Sequence, residues 1–213
     1  MKRDKKRIAL TIALLCFVGA AIFHIETESR AESLQPEIAK KILRFHIRAN
    51  SDEELDQELK LEVRDAIGEL LGEELTKVND LEESKAVVTE YLPQIIETAQ
   101  EVIAEEGYAY TVDAYLTTTS FPEKTYGDYT FPAGEYEALE VEIGEGAGHN
   151  WWCVLYPNMC FRGSVYEVVE EDAKEELREV LTQEEYDAVF TEGNYEVHFF
   201  LADWFEKLTD THK

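Results

Sequence analysis

An apolar run of 18 residues near the amino terminus limits which part of this chain can form a water-soluble fold. The run is IALTIALLCFVGAAIFHI at residues 8–25, and the basic stretch MKRDKKR precedes it. A basic stretch before an apolar run is typical of an export signal, and this length lies at the border between a long signal peptide and a spanning helix. We therefore expect residues 1–31 to be an export signal or a membrane anchor.

A polar stretch separates the apolar run from the rest of the chain. A Ser-Arg-Ala triplet that ends at Ala31 offers a cleavage site, and the sequence leaves open whether the chain is cut there. Residues 32–40 are polar and include Pro36, which predicts a linker. We expect one folded domain over residues 41–213.

The charge of this chain is strongly acidic once the N-terminal segment is set aside. Its 46 acidic and 20 basic residues give a net charge of −26. Residues 1–31 hold six basic and three acidic residues, so the remainder carries −29. Phosphate groups repel such a body, which argues against nucleic acid and anionic lipid as partners. We expect membrane contact only through the N-terminal segment.

The first half of the predicted domain has the pattern of one strand followed by two helices. Residues 42–48 alternate between apolar and basic side chains, which is typical of a strand. Ser51 and Glu54 have the spacing of a capping box, so a helix is predicted to follow. A second helix is predicted over residues 80–106, with a kink or a break at Pro93. The buried face of the first helix is predicted to consist of Leu55, Leu59, Val63, Ile67 and Leu70.

The second half is rich in strand-forming residues and predicts an α+β fold. Strands are predicted over residues 108–119, 135–143 and 151–156, with a loop at 120–134 and a hairpin that joins the last two strands. The remaining predictions are a helix or mobile connection at 165–180, a capped helix that ends at Phe190, a strand at 195–200 and a helical turn at 202–208. The expected architecture is a single α+β domain: a strand, two helices and a mostly antiparallel sheet with a C-terminal strand and short helix.

Two cysteines, Cys153 and Cys160, fall within the predicted exported body. Outside the cytoplasm such a pair can oxidise, and a turn at Pro157 would bring the two thiols together, so a disulfide is one interpretation. Two small buried hydrophobes are the other interpretation, and the sequence leaves both open.

Motifs of common hydrolases and metal sites are missing from the sequence. It contains no G-x-S-x-G and no H-E-x-x-H, and we expect no catalytic residue, metal or cofactor. His149 precedes Cys153 by four residues, which suggests a base beside a thiol, although an extended strand would hold the two side chains roughly 13 Å apart. The alternative to a non-enzymatic role is therefore that the chain is an exported thiol-dependent hydrolase or cell-wall-modifying enzyme that uses Cys153.

Basic side chains gather in the first strand and the first helix of this acidic body. Four of them are candidates for contact with an acidic partner segment: Arg44, Arg48, Lys60 and Arg64. Lys60 and Arg64 are one helical turn apart and share a face. Internal ion pairs with nearby carboxylates such as Asp65 are the alternative interpretation.

The adjacent Trp151 and Trp152 point to opposite faces of a strand. One of them can fill the core while the other serves as a binding anchor. Burial of both under a loop is the alternative. Both tryptophans are therefore candidate partner-binding residues.

Two long stretches of this sequence resemble stage II sporulation protein R of endospore-forming bacteria. They are RFHIRANSDEELDQELKLEVRDAI and TYGDYTFPAGEYEALEVEIGEGAGHNWWCVLYPNMCF. With the helix between them, the resemblance covers about residues 40–163. The most specific parts are the ANSD-x(3)-DQ-x(2)-K-x(2)-VRDA pattern and the NWWCVL-x-P-x(2)-C run.

The resemblance implies a signalling protein and not an enzyme. Such proteins are made in the forespore and exported to the space between the forespore and mother-cell membranes. There they activate a membrane-embedded aspartic protease, which cleaves the precursor of the mother-cell sigma factor. This protease is the partner that the resemblance implies, and the family supplies no catalytic residues.

Overall fold

A four-stranded mixed sheet, with helices against one face and a two-stranded hairpin over the other, organises the chain. The computed structural model describes residues 17, 19, 31–159 and 171–190. Its helices are α1 (31–39), α2 (Glu54–Leu75), α3 (Leu81–Glu105), α4 (Glu171–Val180) and α5 (Gln183–Val189). Its strands are β1 (Leu43–Arg48), β2 (Val112–Phe121), β3 (Lys124–Tyr126), β4 (Tyr129–Phe131), β5 (Gly134–Ile143) and β6 (Asn150–Tyr156).

The strand order β2-β5-β1-β6 gives a mixed, mostly antiparallel sheet, which confirms the predicted α+β class. β1 runs parallel to β5 and antiparallel to β6, and β2 is antiparallel to β5. The predicted hairpin between β5 and β6 is wrong, because β1 lies between them. The glycine-rich segment 144–149 instead crosses the end of β1, where the backbone N–H of Gly148 donates to the carbonyl of Ala49 at 2.9 Å.

The first core lies between the sheet and helices α2 and α3. The apolar side chains of β1 point to this side, as the alternation predicts, and meet Leu59 and Val63 of α2. Leu55 was predicted to be buried with them but is 62% exposed. Asp56, one residue further on, takes the inward position in the first turn. The predicted capping box is also absent, because Ser51 donates its hydroxyl to Asp56 and Glu53 caps α2 without a side-chain hydrogen bond.

Helix α3 matches its predicted bounds closely. The carboxylate of Asp80 accepts a hydrogen bond from the backbone N–H of Glu83 at 2.9 Å, which caps the helix. Gly107 follows the last turn with φ of +84°, a conformation that glycine adopts without strain. The helix continues through Pro93 and is not split there.

The second core lies on the opposite face of the sheet, under the β3–β4 hairpin. Residues 120–134, predicted to be a loop, form the end of β2 and both strands of this hairpin. Tyr129 and Phe131 occupy alternate positions of β4 and are fully buried. Burial of these aromatic side chains holds the hairpin on the sheet, although its flanking prolines and glycines favour a loop.

The segment predicted to be a linker, residues 32–40, is largely helical. Ile38 of α1 is fully buried in the second core, with Leu34 packed beside it at helical spacing. Gln35 donates its side-chain amide to the carbonyl of Glu135 at 2.9 Å, which ties α1 to β5. The division of the chain at residue 40 stays a prediction, but the local structure of this segment is corrected.

The last described elements are α4 and α5. Thr182 and Glu185 form the predicted capping box at the start of α5. The predictions at residues 195–200 and 202–208 lie outside the described residues, as does nearly all of the apolar run at 8–25. Among the residues that are described, no helix is both long enough and apolar enough to cross a membrane.

Candidate partner-binding site

A network of hydrogen bonds joins the end of β1 to the start of α2. Asp56 is buried there, and one carboxylate oxygen accepts from the side-chain amide of Asn50 at 2.8 Å and from the hydroxyl of Ser51 at 2.5 Å. Burial acts to raise the pKa of Asp56, but these hydrogen bonds outweigh it and hold the pKa below its usual value. Gln57 donates to the carbonyl of Ser51 at 2.9 Å. The ANSD and DQ parts of the motif therefore form a structural junction.

The glycine-rich segment 144–149 is bound to this junction, and we call the two together the loop clamp. Its backbone N–H groups donate to Asn50, Ala49 and Asp52, in the pairs Glu145–Asn50 Oδ1 (3.1 Å), Ala147–Asn50 O (3.2 Å), Gly148–Ala49 O (2.9 Å) and His149–Asp52 Oδ1 (2.6 Å). The ring of His149 also contacts Asp52. Because of these contacts, the segment passes over the end of β1. It therefore joins β5 to β6 without making the two strands neighbours in the sheet.

Lys60, a predicted partner-binding residue, donates hydrogen bonds to the loop clamp. The residue is only 5% exposed, and its ammonium group donates to the side chain of Gln57 at 2.6 Å and to the carbonyl of His149 at 3.1 Å. Burial, followed by the nearby charge of Arg64, lowers the pKa of Lys60. The structure therefore assigns this side chain to internal hydrogen bonds and leaves little of it for a partner.

Arg64 and Trp151 pack against each other at the end of the first core. The guanidinium carbon lies 5.5 Å from the indole ring centre, and an N–H of Arg64 pairs with Asp65 at 2.6 Å. The Arg64 side chain is 12% exposed and Trp151 is 4% exposed, with its ring edge-on to Phe45. Trp151 is thus a core residue, and the Arg64–Asp65 pair agrees with the internal-pairing interpretation.

We predict that Arg64→Glu lowers the free energy of unfolding by about 1–2 kcal/mol, because it removes the contact with Trp151 and places a carboxylate beside Asp65. Urea unfolding at neutral pH measures the change. Lys77→Glu is the charge-reversal control at an exposed site, where it breaks the surface ion pairs of Lys77 with Glu73 and Glu74 and should cost less than about 1 kcal/mol. Equal stability of Arg64→Glu and the wild type would contradict the assigned packing.

Arg44 points to the opposite face of the sheet and is fully buried. Its Nε donates to the carbonyl of Cys153 and a terminal N–H donates to the hydroxyl of Tyr126, both at 3.1 Å. Four aromatic rings surround the guanidinium at 4.4–5.8 Å from its carbon: Phe121, Tyr126, Phe131 and Tyr136. The expected basic patch is therefore divided between two faces, and Arg44 does not lie on a surface.

A polar cluster follows Arg44 along the same face of β1. Arg48 pairs with Glu140 at 3.3 Å and with Glu142 at 3.1 Å, and its side chain is 36% exposed. Tyr115 donates to Glu142 at 2.5 Å, and His46 Nε2 lies 3.2 Å from a carboxylate oxygen of Glu140. Burial raises the pKa of Glu140, and burial with the charges of Arg48 and Arg44 lowers the pKa of His46 to about 3.

Trp152, unlike Trp151, is only half-buried. Its ring is stacked on His46, with centres 4.8 Å apart and planes 5° from parallel, and it contacts Phe121 edge-on. Trp152 also lines a cavity, together with Asn150 and the residues of β3. Of the two predicted anchors, Trp152 therefore has the geometry of one.

Cys153 lies in the first core and is 4% exposed. Its thiol donates weakly to the carbonyl of Val154 at 3.7 Å, and it forms no disulfide within the described residues. Cys160 lies outside the described residues, so the disulfide stays a prediction. Within the described part of the chain, no cluster of side chains has the composition of a metal site.

Comparison with known protein families shows to which family this chain belongs. The sequence model of the family described as stage II sporulation protein R matches residues 39–167, which is more than half of the chain. The chain belongs to the stage II sporulation protein R family. A curated relative, stage II sporulation protein R of Bacillus subtilis (strain 168), is 32% identical over 221 residues, which cover 96% of this chain and 99% of that protein. No solved structure matches the chain.

Membership of the stage II sporulation protein R family confirms the resemblance and supports a role in sporulation. The matched residues extend from the end of α1 past β6, so they contain the loop clamp, Arg44 with its surrounding aromatic rings, and Trp152.

Sequence reasoning missed Asn150 and the two β3 residues Lys124 and Tyr126 as neighbours of Trp152. The period of two in β6 would have placed Asn150 with Trp152, but only the hairpin brings β3 to them.

Proposed function

We propose that this chain is an exported signalling protein that activates a membrane-embedded aspartic protease during sporulation. The protease would then cleave the precursor of the mother-cell sigma factor, and the chain would act in the space between the forespore and mother-cell membranes. Membership of the stage II sporulation protein R family carries this proposal. The basic and apolar N-terminal sequence supports export.

Docking is the mode of action that suits this domain. The acidic body is repelled by anionic membrane surfaces, which favours contact with a protein. A docked protein shifts its partner toward the active state only to the extent that it binds that state more tightly. The chain would therefore act through its affinity for one conformation of the protease.

Reconstitution tests this proposal directly. The chain, purified in its exported form, is added outside vesicles that hold the protease and enclose the sigma-factor precursor. Cleavage of the precursor is followed by immunoblot. Cleavage that depends on the chain supports the proposal, and cleavage at the same rate without the chain overturns it.

The alternative of a thiol-dependent enzyme finds no support in the position of Cys153. Its thiol is buried in the first core, while the ring of His149 contacts Asp52. A nucleophile that attacks an external substrate needs access and a base within hydrogen-bond distance.

We predict that Cys153→Ala retains activation of precursor cleavage and loses about 1 kcal/mol of stability, because it removes a small buried group. Cleavage in the vesicle assay and urea unfolding give the two measurements. Cys153→Ser is the companion variant and should be less stable than Cys153→Ala, since it buries a hydroxyl in the apolar core. Complete loss of activity in both variants, with the fold intact, would instead indicate a catalytic thiol.

A further inference from the structure

A cavity of about 370 Å³ lies beside the first half of β6. Its lining residues are Glu123, Lys124, Thr125, Tyr126, Asn150 and Trp152. The first four belong to β3 and the residue before it, and the last two belong to β6. In the four-stranded sheet of the described residues, β6 is an outer strand. The cavity therefore lies at an edge of the sheet.

Two buried polar atoms, one on a residue that lines this cavity and one on its partner in the sheet, have no hydrogen-bond partner among residues 31–159 and 171–190. They are the side-chain carbonyl oxygen Oδ1 of Asn150 and the Nε of Arg48. The two residues face each other in the register of β1 and β6, and of the two Asn150 lines the cavity. Buried polar groups are normally paired, and an unpaired one costs free energy. A ligand that supplied a donor to Asn150 Oδ1 would remove that cost at the cavity wall.

An extended peptide presents the complementary groups. Its backbone offers an N–H donor and a carbonyl acceptor on each residue, and such an N–H suits the side-chain carbonyl of Asn150. Trp152 adds a flat apolar wall that His46 and Phe121 hold in place, so little of its side-chain freedom would be lost on binding. Aromatic side chains held in this way are common anchors for peptides.

The charged side chains near the cavity indicate which chemical group a ligand would carry. Lys124 is half-buried in the cavity wall and forms no ion pair within the described part of the chain, although the whole chain has a net charge of −26. Arg48, in contrast, is already balanced by Glu140 and Glu142. Glu123 also lines the cavity but forms no ion pair with Lys124, so the ammonium group favours a ligand that places a carboxylate next to it.

We propose that this cavity binds an extended peptide segment of the protein that the chain activates, and that the segment carries a carboxylate next to an apolar or aromatic side chain. The inference rests on the proposed function, since it names the surface through which that function operates. Asn150 accepts a hydrogen bond from the peptide backbone, Trp152 packs on the apolar side chain, and Lys124 pairs with the carboxylate.

Fluorescence polarisation with labelled peptides tests this inference. The probes are short peptides that tile the outward-facing segments of the protease, together with peptides from residues 191–213 of this chain, and the binding protein is the full-length chain. We expect one protease peptide to bind, with affinity about tenfold weaker for Lys124→Glu and Asn150→Ala and at least about thirtyfold weaker for Trp152→Ala. Lys77→Glu is the matched control for Lys124→Glu and should bind like the wild type. Thermal unfolding verifies that each variant is folded, and if Trp152→Ala is not, the other two variants decide.

The same variants are assayed for precursor processing in sporulating cells. Weaker peptide binding by the folded cavity variants, together with reduced processing, supports the inference. Normal binding and normal processing by those variants overturn the inference while the proposed function stands. Binding of no protease peptide, or of a peptide from residues 191–213 alone, also overturns it. Cells in which processing does not depend on the chain overturn the proposed function and the inference together.

Discussion

Replacing Gly148 with alanine is expected to lower the free energy of unfolding by about 3 kcal/mol. A Cβ at this position would lie 2.1 Å from the backbone carbonyl oxygen of Ser51, and a backbone atom cannot move aside as a flexible side chain does. The segment 144–149 would have to leave the loop clamp, and the hydrogen bonds of Gly148 to Ala49 and of His149 to Asp52 would be lost with it. Urea unfolding followed by circular dichroism measures this change.

Gly107→Ala is the matched control for this prediction. Gly107 has φ of +84°, which disfavours alanine, but an added Cβ there would have no neighbour within 4 Å. The cost should therefore be the backbone strain alone, about 1 kcal/mol. A loss for Gly148→Ala no larger than that for Gly107→Ala would mean that the segment is not held against the junction between β1 and α2.

Lowering the pH from 7 to 4.5 is expected to remove about 2.5 kcal/mol of stability through His46 alone. In the unfolded chain His46 has its ordinary pKa of 6.5, while in the fold burial and the charges of Arg48 and Arg44 lower it to about 3. Between these two values the unfolded chain binds a proton that the folded chain does not bind. Stability due to His46 is therefore complete above pH 6.5 and is lost progressively as the pH falls toward 3.

His46→Phe tests this assignment, because it keeps a ring stacked on Trp152 and removes the titrating group. Urea unfolding of both proteins at pH 7 and pH 4.5 should show a smaller loss on acidification for the variant. Glu140 acts in the opposite direction in both proteins, since burial raises the pKa of its carboxyl group. An equal or larger acid loss in His46→Phe would show that His46 is protonated in the fold and forms an ion pair with Glu140, which lies 3.2 Å away.

The environment of a candidate site residue could be predicted from the sequence only where its contacts are close to it in the chain. The spacing of Lys60 and Arg64 correctly put them on one face of α2, and the carboxylate beside Arg64 was visible in the sequence. The burial of Lys60 was not visible, because its hydrogen-bond acceptor belongs to His149, 89 positions later. Arg44 was misjudged for the same reason, since its aromatic cage comes from β2, the β3–β4 hairpin and β5.

The sequence by itself determined the α+β class, the approximate positions of β1, α2, α3, β5 and β6, and the family, because periodicity, capping residues and specific motifs are properties of neighbouring residues. The tertiary structure alone decided that β1 lies between β5 and β6, that residues 124–131 form a hairpin, and that Asn150 and Trp152 share a cavity with β3. These features depend on contacts between residues far apart in the chain. Such contacts are selected by the burial of whole faces and by hydrogen-bond partners that no local pattern records.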